Sequence, residues 1–173
     1  QWGERFSAIA KSMGATVDPI EVAWGENVDP AVLEAKLNAH DYRALVLVHN
    51  ESSTGVAGDL AAAGRLLRNR PTLLVADTVS GLAGMELRQD EWGVDILVSG
   101  SQKALMCPPG LGLMSISDKA WKVIERNSGM PRFYFDLRRA RDAYAKGEST
   151  FTPAVSLVQG LDAALDLIHQ EGL

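Results

Sequence analysis

Residues 93–117 read GVDILVSGSQKALMCPPGLGLMSIS: two apolar runs separated by a turn that holds serines, glycines, a double proline and one lysine, Lys103. Each run is short and continuous, as expected of a strand buried on both faces. Two similar runs precede it, RALVLVHN at residues 43–50 and TLLVAD at residues 72–77. Helical spacing occupies residues 4–13, ending at Gly14, and residues 59–69, 118–126, 136–146 and 154–169. Asp29-Pro30 supplies an N-cap and first-turn proline for another helix through about Ala39. ATVDPIEV at residues 15–22 reads as a further short strand, and ESSTGV at residues 51–56 as a loop. Buried strands alternating with helices predict an α/β fold, a three-layer α/β/α arrangement around a mostly parallel, mixed sheet. No internal repeat or low-complexity linker divides the chain.

In such sheets ligands bind beyond the carboxyl ends of the strands. Three predicted strands end there in polar or small residues: HNESSTG, ADTVSG and SGSQK. Asp77 closes an apolar strand, where a carboxylate is costly to desolvate without a cation or several donors. It is either a loop cap or the partner of a bound positive charge. Lys103 is either a surface amine or, partly buried among small residues, a nucleophile with a depressed pKa. Ser52, Ser53 and Thr54 offer hydroxyls, although serine and threonine also serve turns. His49 reads as a structural histidine at a strand end, and Cys107 as a packed thiol.

Composition narrows the function classes. With 173 residues, 46% of them hydrophobic, the chain can form a core. A net charge of −5 without a basic patch excludes the usual footprint of a nucleic-acid binder. Arg138, Arg139 and Arg141 are offset by Asp136 and Asp142. No apolar run approaches the ~20 residues of a membrane span. One cysteine excludes an internal disulfide, and the three histidines show no metal-ligand spacing, so no metal is expected. A reducing, cytoplasmic setting fits that cysteine usage. The glycine-rich segments GLAG and PPGLG lack the spacing of a dinucleotide or P-loop fingerprint. The chain opens on QWGERFSAIA without a leader pattern and reads as an excerpt of something longer.

Taken together, HNESSTGV, ADTVSGLAGMEL, WGVDILVSGSQKALMCPPGLG and FTPAVSLVQGL resemble the class V aminotransferases. These are pyridoxal-phosphate (PLP) enzymes of fold type I, and the likeness is to their alanine–glyoxylate and serine–pyruvate (serine–glyoxylate) group. The resemblance covers nearly the whole chain. It implies that Lys103 forms the Schiff base with the cofactor and later carries the proton between substrate and cofactor. It implies that Asp77 pairs with the pyridine nitrogen, so that the ring acts as an electron sink. Trp2 would stack on the ring and Val79 would pack on its opposite face. Ser52 and Gln102 would make polar contacts to the cofactor, and Thr152 and Ser149 would reach the phosphate of a neighbouring subunit's cofactor in a homodimer. The substrates implied are a small amino acid, alanine or serine, and a 2-oxo acid, glyoxylate or pyruvate.

The family's phosphate-binding turn precedes WGER, and its substrate-carboxylate arginine lies in a C-terminal small domain. Residues 1–173 therefore correspond to the central part of the PLP-binding large domain, and Arg43, Arg65 and Arg132 are not expected to replace that arginine. Related desulfurases carry histidines where this chain has Gln102 and Trp2, which favours transamination over a desulfurase or lyase. A catalytically inactive oligomerising fragment is the other alternative, and a plain nucleotide-binding α/β module a more distant one.

Overall fold

A computed structural model describes residues 1–127 and 129–172. Three apolar runs become β1 (Ala44–Val48), β4 (Leu73–Asp77) and β5 (Ile96–Gly100), and a fourth becomes β6 (Gly112–Ile116). They form one sheet in the order β1-β4-β5-β6. β1 runs parallel to β4, with Val48 opposite Asp77, and β4 runs parallel to β5, with Asp77 opposite Val98. β6 is antiparallel to β5, pairing Gly100 with Gly112. The reason lies in the connection: residues 101–111 contain no crossover helix, so the chain turns back beside the strand it has left.

Helices cover the sheet. They are α1 (Trp2–Ser12), α2 (Pro30–Ala39), α3 (Leu60–Leu67), α4 (Gln89–Trp92), α5 (Asp118–Arg126), α6 (Leu137–Tyr144) and α7 (Val155–Glu171). Asp29 caps α2 through Ala31 N–H at 2.8 Å, Asp59 caps α3 through Ala62 N–H at 2.7 Å, and Ser117 caps α5 through Ala120 N–H at 3.1 Å. Gly14 follows α1 with φ +83°, a backbone state that glycine adopts without strain. The core forms where Leu33 and Leu37 of α2 and Leu60, Ala63 and Leu67 of α3 meet Leu74, Ala76 and Leu97 of the sheet. On the opposite face Val46 and Met114 remain exposed. Among the described residues no helix is long and apolar enough to cross a membrane.

Two expectations need correction. Residues 15–22 form no strand. Pro19 lacks an N–H for a ladder, and Asp18 instead bonds Lys36 and Tyr42 while Ile20 packs against the core. The expected loop at residues 51–56 is drawn into a hairpin, β2 (Asn50–Glu51) antiparallel to β3 (Val56–Ala57). The short helix α4 was not foreseen.

The far end of the sheet is tied by Asp95, which is 5% exposed. It accepts from Leu74 N–H at 2.9 Å, Ser117 Oγ at 2.8 Å and Lys119 Nζ at 3.1 Å. The polar residues of the three predicted strand ends gather at the opposite, carboxyl end.

Candidate active site

The register of the sheet sets the site. Because Val48, Asp77 and Val98 lie side by side, the segments leaving β1, β4 and β5 emerge at one edge. There Trp2, Ser52, Asp77 and Val79 line one cavity of about 160 Å³, floored by Val98. An apolar cavity of ~150 Å³ accommodates a benzene ring, so this one admits a single aromatic ring. Asp77 is buried, and its Oδ1 accepts from Val79 N–H at 2.9 Å. No donor among the described residues bonds its Oδ2. Ser52 Oγ lies 2.6 Å from Ser80 Oγ, joining the turns that follow β2 and β4.

Four of the expected site residues thus converge, and four do not line the cavity. Lys103 sits in the turn after β5, where its carbonyl accepts from Met106 N–H at 2.9 Å. It is exposed, so the expected partial burial is not found. Gln102 is also exposed, and its amide lies over Gly100, where an added Cβ would meet Oε1 at 2.7 Å. Ser149 and Thr152 are exposed in the segment before α7.

The serines flanking Lys103 have structural work. Ser99 Oγ donates to Thr78 O at 3.3 Å. Ser101 is fully buried; its Oγ donates to Pro108 O at 2.7 Å and accepts from Leu111 N–H at 3.3 Å. The double-proline turn is thereby clipped to the end of β5. Cys107 is buried as expected, its Sγ donating to Leu105 O at 3.2 Å. The only non-glycine residues with positive φ among those described are Ala83 and Met106, both in turns at this edge.

Some cavity residues escaped the sequence reading. Arg5, Phe6 and Ile9 line it together with Trp2. Their i, i+3, i+4, i+7 spacing is one helix face, a signal available once Trp2 is placed. The Arg5 guanidinium lies 4.4 Å from the Trp2 ring centroid, within cation–π range. Asn50 and Ser80 also contribute, and nothing in their local sequence singled them out.

His49, next to Asp77 on the sheet edge, is 3% exposed, and burial pushes its pKa down. Its N–H donates to Asp77 O at 2.8 Å, and its ring meets Trp92 edge-on at 6.3 Å. Nδ1 has no hydrogen-bond partner and faces Gly81. The tautomer assigned from this packing is neutral, with its proton on Nε2, because a buried Nδ1–H would be an unpaired donor. The structural role expected for this histidine agrees with the packing.

Fold and cavity define an α/β protein whose strand ends present a ring-sized site beside a buried carboxylate. The sequence matches the family described as aminotransferase class-V over residues 4–173, and the chain belongs to that family. It is 40% identical over 177 residues to the L-aspartate–glyoxylate aminotransferase of Paracoccus denitrificans, covering 99% of this chain and 44% of that protein. It is 40% identical over 169 residues to the serine–glyoxylate aminotransferase of Arabidopsis thaliana, covering 94% of this chain and 42% of the relative. The crystal structure of an alanine–glyoxylate aminotransferase from Nostoc sp. superposes with a TM-score of 0.94 at 35% identity, over 100% of this chain and 46% of that one. The chain therefore spans under half the length of each of these relatives.

Proposed function

We propose that this chain is the central part of the large domain of a PLP-dependent aminotransferase, which moves an amino group from alanine or serine to glyoxylate or pyruvate. The observation that carries the reading is the meeting of Trp2, Ser52, Val79 and Asp77 around one ring-sized cavity. Family membership and relatives named as glyoxylate aminotransferases support the same chemistry. The residues present fit the cofactor, since an aromatic ring bearing a cationic nitrogen matches a cavity lined by Asp77, whose Oδ2 takes no donor from the described residues. When bound, PLP supplies an electron sink for carbanion chemistry.

The chain's own residues then take defined roles. Asp77 holds a proton on the ring nitrogen by charge pairing. Trp2 and Val79, which both line the cavity, would pack against the ring and exclude water from it. Ser52, and Gln102 from the neighbouring turn, orient its polar substituents. Lys103 would supply the amine that holds the cofactor through its aldehyde group, and its Nζ would hold the proton exchanged at the substrate Cα. Ser149 and Thr152, exposed here, serve the phosphate in the partner site of a homodimer. One buried cysteine is compatible with a cytoplasmic enzyme.

The test is PLP titration of the purified chain, followed by borohydride reduction and peptide mass mapping. A visible absorbance band and a reduced adduct on Lys103, both abolished in Lys103→Ala, are expected. A wild-type chain that acquires neither band nor adduct would overturn the assignment of Lys103 and this cavity as a PLP site within residues 1–173.

A further inference from the structure

Glu51 belongs to neither the family-derived site residues nor the cavity lining, yet both of its carboxylate oxygens are committed at this edge. Oε2 accepts from Trp2 N–H at 2.9 Å, across 49 positions of sequence. Oε1 accepts from Ser53 Oγ at 2.7 Å and from Ser53 N–H at 3.2 Å. Its carbonyl closes the same turn by accepting from Thr54 N–H at 3.0 Å and Gly55 N–H at 2.8 Å. The residue at the N-cap position of α1 makes no side-chain capping bond, so the distant carboxylate serves the first turn of the helix.

Trp2 and Ser52 approach the cavity from segments fifty positions apart, and among the described residues the only carboxylate joining them is that of Glu51. We propose that Glu51 is a positioning residue: its carboxylate clamps the start of α1 to the β2–β3 turn, holding Trp2 and Ser52 in one fixed geometry about the cavity. Its ionisation state supports the clamp. Burial opposes the charge, but bonds from the Ser53 hydroxyl and from the backbone N–H groups of Trp2 and Ser53, together with the Gln1 ammonium 3.4 Å from Oε2, outweigh it and hold the carboxyl below its ordinary range. The consequence for cofactor binding rests on the PLP reading above, whereas the clamp itself does not.

The experiment measures two things in wild type, Glu51→Gln and Glu51→Ala. Amide hydrogen exchange by NMR follows Trp2 in the ligand-free chain, with Leu74 as a core reference. PLP titration, read by quenching of the Trp2 indole, follows affinity; a Trp2→Phe chain assigns that signal. Glu51→Ala is expected to accelerate Trp2 exchange at least tenfold with Leu74 protection unchanged, and to weaken PLP about tenfold, the size of a lost helix cap. Glu51→Gln keeps one acceptor oxygen, preserves folding and gives intermediate values for both. Undiminished Trp2 protection in both variants overturns the clamp whatever PLP does. Lost protection with PLP affinity within twofold of wild type overturns the positioning role. A wild type that takes up no PLP overturns the preceding section's reading, and the exchange data still decide the clamp.

Discussion

Gly81→Ala tests how rigidly the edge of the cavity is built. Gly81 lies in the turn that carries Val79 and Ser80, and its φ is not in the left-handed region. In open space the substitution would stabilise the chain by ~0.4–1 kcal/mol by restricting the unfolded state. Here the new Cβ would sit 2.3 Å from His49 Nδ1 and 3.1 Å from Cγ and Cε1. Ordinary contact begins near ~3.5 Å, so about 1.2 Å must be found. The imidazole cannot supply it, being 3% exposed and backed by Trp92. The turn must therefore move, and overpacking of this kind costs about 1–3 kcal/mol. The sign of the effect thus decides between open space and a clash. Movement of the turn also stretches the Ser52–Ser80 bond, so PLP affinity should fall with stability. Urea unfolding of wild type, Gly81→Ala, His49→Ala and the double variant gives the cycle. The double variant should be at least ~1 kcal/mol more stable than additivity allows, since the new methyl occupies space vacated by the ring. A neutral or stabilising Gly81→Ala, or a cycle additive within ~0.4 kcal/mol, would refute the contact.

Further outcomes follow from other parts of the structure. Asp95→Ala removes the acceptor of a buried strand N–H, a helix-capping hydroxyl and Lys119, and should cost about 3 kcal/mol in chemical denaturation. A loss below ~1 kcal/mol would show that the cluster contributes little. Asp136 caps α6 and is held at a pKa of about 2 by the Arg138 guanidinium, with burial opposing and Arg138 N–H and Arg132 assisting. Its folded pKa is depressed, so its stabilisation is present above the ordinary carboxylate pKa and disappears as pH falls from about 4 to about 2. The melting-temperature gap between wild type and Asp136→Asn should close over that window, and a gap constant down to pH ~2 would contradict the assignment.

Much of the fold was legible because its signals are local. The apolar cores of RALVLVHN, TLLVAD and DILVSG mark strands, but the expected burial on both faces holds for β4 and β5 and not for β1, where Val46 stays exposed. Asp29-Pro30 announced α2 through capping chemistry that needs only neighbouring residues, and the structure adds Asp59 and Ser117 as the caps of α3 and α5. ATVDPIEV carries a strand-like pattern, but no neighbouring strand was available and Pro19 could not donate, so the pattern had nothing to pair with. Family resemblance singled out Trp2, Ser52, Asp77 and Val79. Their meeting depended on strand register, which no local stretch encodes.

By itself, then, the sequence determined the four strands of the main sheet, the approximate place of every helix but α4, and which residue types stand at the strand ends. Only the tertiary structure decided that β6 turns back antiparallel, that Arg5, Phe6, Asn50 and Ser80 join the cavity, and that Lys103 stands exposed in the turn after β5, outside the cavity lining. It also decided that Glu51 reaches Trp2 across the chain. The physical reason is range. Burial patterns and caps are fixed within a few residues, whereas a cavity wall is assembled from positions whose distance in space is set by the sheet.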